Sequence, residues 1–356
     1  MFKVADYLIQ AQSSGEVEGH ATLKPLDTRG GRSAAYSAWM MLTAIYKLIV
    51  GKATGRLRGV HVNMAERLSL FRKGIIIFVC RSLGIPVVLH LHAAQLHHFY
   101  KDLPRGIQGM TRWFFSMANH CIVLGHAAEA FVINELKMPP HKVSIVINGV
   151  PTASVPRRTR VPEMPYKVLF LGNLSERKGV SDLLKAVSNL GFLQERLIVS
   201  MAGGGDIETY TAKASSLGIS NIVRFEGWSD QDKAAILLAE ADVLILPSYD
   251  EGLPLVILEA LANGVAVICT PVGEIPSVLT DGLNALFVMP GDIDGIAKGI
   301  TNIIDDEELR VRLENNGKAI YDSQFSISQF FSSVSRIHQS IFAISAKGSD
   351  AFNKSA

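Results

Sequence analysis

The chain has 356 residues, 48% of them apolar, with a mean hydropathy of +0.23. That length and apolar share suffice for two ordinary cores and exclude a disordered chain. Three scattered cysteines, Cys80, Cys121 and Cys269, exclude a disulfide framework or a cysteine zinc site and point to a reducing cytoplasm. The net charge of +2 hides an asymmetry: residues 1–150 hold 17 Lys and Arg against 8 Asp and Glu, and the remainder 18 against 25. A basic half suggests contact with an anionic surface or ligand, and ordinary surface charge is the alternative.

In chain order, "HATLKPL", "GVHVN", "PVVLHLH", "HCIVLG" and "VSIVING" read as short strands bounded by Gly, Pro or Asn,. The apolar run "AWMMLTAIYKLIV" is cut by Lys47, and "GIIIFVCRSLGIPVVL" by Arg81. Neither offers the ~20 apolar residues of a membrane span. They read as a core helix and as a helix followed by a strand, with Gly84 as a helix stop. The stretch 151–166 holds four prolines and reads as an interdomain linker,. Alternation then resumes through "KVLFLG", "LIVSMAG", "IVRFEG", "ADVLILPS", "VAVICT" and "NALFVMP". A last helix, about 326–344, shows an apolar face through Phe330, Val334, Ile337 and Ile341,.

Two blocks of alternating strands and helices predict an α/β protein of two doubly wound, Rossmann-like domains facing a cleft, residues 1–150 and 167–325. The final helix is expected to pack on a domain. Ligands of such domains bind outside the carboxyl ends of the strands.

After "KVLFLG" comes Asn173-Leu174-Ser175-Glu176-Arg177-Lys178-Gly179. Gly172 and Gly179 permit tight turns. Lys178 falls at a helix start, where a cation opposes the helix dipole unless an anion lies between. A bound phosphate would supply that anion, and a solvated lysine is the other reading. Gly203-Gly204-Gly205 lacks the Gly-x-Gly-x-x-Gly spacing, so a nicotinamide dinucleotide is disfavoured. A ligand approaching the main chain and a plain tight turn explain this triplet equally well.

The stretch "SYDEGLPLVILEALANG", Ser248 to Gly264, holds Glu251 in a loop and Glu259 in an otherwise apolar helix. Pro254 suits the first helical turn and Gly264 the end. A buried carboxylate needs donors, and the two hydroxyls of a ribose would supply them to Glu259. Pairing with an Arg or Lys is the alternative. Glu251 would meet another part of the same ligand, with the amides of Gly252, Leu253 and Leu255 facing a phosphate between. In the first half, His90 and His92 share one strand face. His92 ends the strand and fits a sugar hydroxyl or is a satisfied strand-end histidine. A metal is disfavoured, because no carboxylate or cysteine accompanies the run.

The segments "FLGNLSERKGVSDLLKA", "FEGWSDQDKAAILLAEADVLILPSYDEGLPLVILEALANGVAVICTPVGEIPSVLTDGLNALFVMPGD" and "IVINGV" resemble the retaining glycosyltransferases of family 4, which have the GT-B fold. The likeness is dense from about Tyr166 to Asp292 and looser from about Gly59 to Val150. It implies a nucleotide-sugar donor with ribose at Glu259, transferred sugar at Glu251 and His92, and diphosphate at Lys178 and Arg177. Gly172, Asn173, Gly227 and Gly252 to Leu255, Pro254 included, would surround that donor. It further implies transfer with retention, no metal and no cofactor. The acceptor would be a glycan or lipid-linked molecule of bacterial surface or exopolysaccharide synthesis, handled in the cytoplasm against the anionic inner membrane face. A GT-B nucleotide-sugar epimerase and a non-catalytic nucleotide-sugar-binding remnant are the rival readings. Nucleic acid is disfavoured, since the basic residues form no recognised module.

Three positions depart from the family pattern. Asn173 stands where Arg is usual. Gly273-Glu274-Ile275-Pro276-Ser277 replaces the usual Gly-Gly-Ile-Pro-Glu. "MFKVADYLIQAQ" resembles the family's first long helix, so the first strand of the N-terminal domain is missing. The expectation is an upstream start or a truncated form with an incomplete sheet.

Overall fold

The computed structural model describes residues 2–13, 20–30, 33–65, 68–92 and 96–344. The chain divides into two compact units, residues 1–149 with 327–356, and residues 150–326.

In the first unit, α1 (Phe2–Ser13) buries Val4, Tyr7, Leu8 and Ala11 at the spacing of one helix face,. Then follow α2 (Ala34–Ala53), β1 (Val60–Met64), α3 (Leu68–Ser82), β2 (Val87–Leu91), α4 (Leu96–Lys101), α5 (Arg105–Ser116), β3 (His120–Val123), α6 (His126–Asn134) and β4 (Val143–Ile145). The four strands are parallel in the order β1-β2-β3-β4. Every residue of β2 and β3 is buried, as expected of inner parallel strands covered on both faces,. Gly84 closes α3 at φ +63°, a conformation that glycine adopts without strain,.

Two sequence expectations fail here. Residues 20–26, "HATLKPL", form no strand. A strand needs a ladder partner, and among the described residues no further strand lies on the outer edge of β1. Leu26 instead packs against the core as an irregular segment. The run "AWMMLTAIYKLIV" is not a core helix either, since α2 buries only Ala44 and Leu48.

The second unit contains β5 (Tyr166–Leu171), α7 (Val180–Ser188), β6 (Leu197–Ala202), α8 (Ile207–Ser216), β7 (Val223–Gly227), α9 (Gln231–Glu240), β8 (Val243–Leu246), α10 (Leu255–Ala262), β9 (Ala266–Cys269), α11 (Ile275–Val278), β10 (Leu286–Phe287), α12 (Ile293–Asp305) and α13 (Glu307–Ile320). Asp206, Asp230, Asp292 and Asp306 cap α8, α9, α12 and α13, each accepting the amide three residues on,. The six parallel strands run β10-β9-β8-β5-β6-β7. The chain therefore builds outward from β5 through β7, returns, and starts again at β8 on the other side of β5. That reversal makes the β5/β8 boundary the topological switch point, where such sheets leave a crevice at the strands' carboxyl ends.

The stretch read as a linker belongs to this second unit. Arginines fasten it there. Arg158 pairs with Asp242 at 2.8 Å, Arg160 lies 3.4 Å over the Tyr166 ring, and Arg157 pairs with Glu314 at 2.7 Å. Proline content signalled irregular backbone correctly, and the arginines between the prolines decided where it lies. The last helix, α14 (Ile327–Ile341), belongs to the first unit and buries Phe330, Phe331, Val334, Ser335 and His338.

Candidate active site at the sheet switch point

Two loops meet at the switch point, one after β5 and one after β8. The first contains a 3-10 turn, Glu176–Lys178, and then Gly179 at φ +69°. A Cβ on Gly179 would lie 2.1 Å from the Pro247 carbonyl oxygen, so only glycine lets α7 begin against the end of β8,. The Tyr249 amide donates to the Arg177 carbonyl at 2.8 Å, and the Arg177 guanidinium donates to the Asp250 carbonyl. These bonds hold the β8 loop onto the turn.

They also bring three of the expected charged residues together. Lys178 Nζ lies 2.5 Å from Glu251 Oε1, with side chains 12% and 10% exposed. Arg177 Nη1 is 3.6 Å from the same oxygen and is more open to solvent. The net charge of the triad is +1, with Lys178 and Glu251 about nine-tenths buried and Arg177 reaching solvent. In that environment a charge–charge contact is screened much less than on an open surface.

A third loop, after β9, supports the second from behind. Gly273 has φ +59°, and a Cβ there would lie 2.0 Å from the Glu251 carbonyl oxygen. The Glu274 amide donates to the Gly252 carbonyl at 3.0 Å, and the Thr270 hydroxyl to the Ser248 carbonyl at 2.6 Å. Sequence reasoning singled out the 273–277 run only as a departure from a pattern. Its glycine sits beneath Glu251 as a support. Thr270 was missed, and only its position at the end of a buried strand could have marked it.

Pro254 is the N-cap of α10, one place before the first turn where it was expected, with extended backbone at φ −66° and ψ 127°. The first amides of α10 have no carbonyl four residues back to donate to, and Leu253 is buried beside them. Gly264 closes the helix at φ +65°,. Glu259 is 8% exposed and is flanked in α10 by buried Leu258 and Ala260.

The other expected donor residues are spread along the same sheet edge. The Gly172 amide donates to the Ala202 carbonyl at 2.8 Å. Asn173 is exposed, and a Cβ on Gly204 would lie 3.7 Å from its Oδ1. Gly227 ends β7 at φ +71° and accepts from the Gly203 amide at 2.8 Å. It is two strands away from the switch point. The glycine triplet resolves toward its structural explanation. Cβ atoms on Gly203 and Gly205 would lie 1.9 and 2.4 Å from the carbonyl oxygens of Gly172 and Leu174.

His92 lies in the first unit. Its Nε2 is 2.7 Å from Asn63 Oδ1, and its ring packs on that of His90 at a 38° tilt with centroids 3.9 Å apart. His61 joins His90 at 3.3 Å and His338 at 2.8 Å through ring nitrogens. Burial first, then the neighbouring rings, pushes His61 and His90 well below the usual histidine value, and burial alone holds His338 down at about 4. Burial does the same to His92. The four rings are neutral at pH 7. With the Nε2 proton directed at Asn63, His92 presents Nδ1 as an acceptor. Asn63, His61 and His338 escaped sequence reasoning. The available signal was the second alternating pair, His61 and Asn63 in "GVHVN", whose strand pairs with the His90 and His92 strand. Among the described residues, no group of three or more His, Cys, Asp or Glu side chains is arranged to hold a metal ion.

The parallel sheet with its switch point defines a Rossmann-like type of domain,. More narrowly, residues 153–320 match the family model of the Glycosyl transferases group 1. An uncharacterized glycosyltransferase of Methanocaldococcus jannaschii is 26% identical over 258 residues, covering 67% of this chain and 65% of the relative. The lipopolysaccharide core biosynthesis glycosyltransferase LpsE of Rhizobium meliloti is 31% identical over 220 residues, 61% of this chain and 63% of that one. The chain thus spans under two thirds of these curated relatives. Among solved structures, Anabaena HepE in complex with UDP superposes with a TM-score of 0.70 at 16% identity, covering 84% of this chain and 82% of that one. Sucrose-phosphate synthase of Thermosynechococcus elongatus does so with 0.75 at 17%, covering 96% and 93%. The fold is that of these GT-B glycosyltransferases.

Proposed function

We propose that the chain transfers a sugar from a nucleoside-diphosphate sugar, with retention, to a glycan or lipid-linked acceptor in bacterial surface polysaccharide synthesis. The observation that carries this reading is the Lys178–Glu251 pair at the switch point, with Arg177 beside it. Anionic charge grows on a diphosphate as its bond to the sugar breaks, and preorganised cations in a water-poor site stabilise that charge. Lys178 and Arg177 take that role, with the first amides of α10 adding a partial positive charge. Glu251 faces the sugar and holds Lys178 in place until the diphosphate arrives. Glu259, buried and carboxylate-bearing, accepts from the ribose hydroxyls. The HepE structures with UDP and with UDP-glucose favour a donor of this kind.

A thermal-shift panel of UDP-, GDP- and ADP-sugars tests the reading, followed by product analysis with and without acceptor. Stabilisation by one donor and acceptor-dependent release of the nucleoside diphosphate are expected. A new sugar isomer without acceptor would instead make the protein an epimerase, and tight donor binding with no turnover a non-catalytic binder.

A further inference from the structure

We infer that the outward face of α2 is a docking surface for an anionic lipid bilayer. Helix α2 carries two apolar stripes. Ala44 and Leu48 are buried in the core of the first unit, with Met41 and Ile45 packed against it. A second stripe, Trp39, Leu42, Tyr46 and Ile49, recurs at helical spacing and points to solvent, with Trp39 and Leu42 each 62% exposed and Tyr46 68%,. Tyr36 and Val50 extend it at either end. An exposed apolar stripe of this size on a folded unit marks an interaction surface.

Length and composition would let this 20-residue helix cross a membrane. Its inner stripe argues against that. Crossing would pull Ala44 and Leu48 out of the core and carry Lys47 into hydrocarbon,. Lying in the plane of the interface keeps the inner stripe packed and sinks only the outer one.

The charge pattern selects the occupant. From Thr28 to Lys101 the sequence holds eleven Lys and Arg and a single acid, Glu66. Helix α2 carries no acid. Lys47, Lys52, Arg56 and Arg58 are exposed on it and just after it. Long basic side chains reach from an apolar face to headgroup phosphates, and Trp and Tyr favour that same depth. A second copy of this chain fits poorly, because a two-fold contact over α2 would set these cations against their own equivalents. The inference rests on the lipid-linked acceptor of the proposed function for its setting, and its readout is independent of sugar transfer.

The experiment uses the full chain with Trp113→Phe and Trp228→Phe, leaving Trp39 as the reporter. Vesicles are phosphatidylcholine alone or with phosphatidylglycerol, read by flotation and Trp39 emission. Binding to the anionic vesicles with a blue shift is expected, weakening with salt. Trp39→Ser with Tyr46→Ser should lower flotation of the full chain about ten-fold or more, and Lys47→Glu with Lys52→Glu should remove the anionic preference. Circular-dichroism thermal melts of the variants report that they fold. Absence of vesicle binding, binding without a Trp39 shift, or variants that bind like the parent would each overturn the inference. So would a concentration-dependent dimer that Trp39→Ser with Tyr46→Ser dissolves, which would make a second copy the occupant.

Discussion

Replacing Glu251 by Gln should tighten the binding of free nucleoside diphosphate while it abolishes most transfer. In the unliganded site Glu251 holds Lys178 at 2.5 Å, with both side chains about nine-tenths buried. Two unit charges about 4 Å apart in an effective dielectric near 20 attract by about 4 kcal/mol. Much of that is offset by desolvation of the pair, leaving a net hold of about 1–2 kcal/mol. A diphosphate must loosen that hold before it can claim the ammonium group. Without the carboxylate charge, diphosphate affinity should rise about five- to thirty-fold, which is the same energy expressed as a binding ratio. Transfer should fall by about a hundred-fold or more, since sugar positioning is lost. Isothermal titration with the nucleoside diphosphate that gives the largest thermal shift measures the first quantity, and single-turnover transfer measures the second. Glu259→Ala is the reference and should weaken diphosphate binding. If Glu251→Gln weakens it to the same degree, the competition between carboxylate and phosphate for Lys178 does not exist.

Three further outcomes follow from named contacts. His61, His90, His92 and His338 are neutral in the fold and gain protons when unfolded, so the native state binds fewer protons than the unfolded chain below about pH 6.5. Stability should therefore fall as pH drops from about 6.5 toward 4, by about 3 kcal/mol from His338 alone given its value of about 4,; urea titrations that are flat from pH 7 to 5 would refute this. Gly273→Ala should lower the melting temperature and cut transfer at near-constant diphosphate affinity, because its Cβ would meet the Glu251 carbonyl oxygen at 2.0 Å; unchanged kinetics would show that this support is dispensable. Asp242→Ala should destabilise by about 3–5 kcal/mol, since Asp242 accepts from Arg158 and from the Lys167 amide, each at 2.8 Å; denaturant midpoints measure it, and a loss below about 1 kcal/mol would mean solvent replaces both partners.

Where the sequence is regular, reading it was enough. Fully apolar runs such as "VLIL" and "AVIC" became the buried inner strands β8 and β9, because only strands covered on both faces tolerate that composition,. Asp206, Asp230, Asp292 and Asp306 cap four helices, a signal that the sequence reading did not use. The two loops at the switch point were legible through their glycines and charges, and Glu251, Lys178 and Arg177 do lie side by side. Their direct pairing was not legible, since it depends on Gly179 fitting against Pro247, a contact between segments far apart in sequence. Burial direction was the other blind spot. Helix α2 carries two apolar stripes, and nothing in periodicity tells which one faces the core. "HATLKPL" alternates like a strand, and alternation cannot supply a ladder partner.

Gly179 against Pro247 and Gly273 against Glu251 also bear on how this site can change. Each closure leaves no room for one extra carbon atom, and each joins loops that different strands supply. Exchanging the Pro247–Pro254 loop alone with that of a relative would bring in a backbone whose carbonyls miss both glycines. Chimeras should then fail at folding before donor preference can be asked of them. Transplanting residues 172–179, 247–255 and 270–275 as one set keeps all the closures matched. New donor specificity should be reachable through that combined graft, and through single side chains within it, but not by swapping loops one at a time.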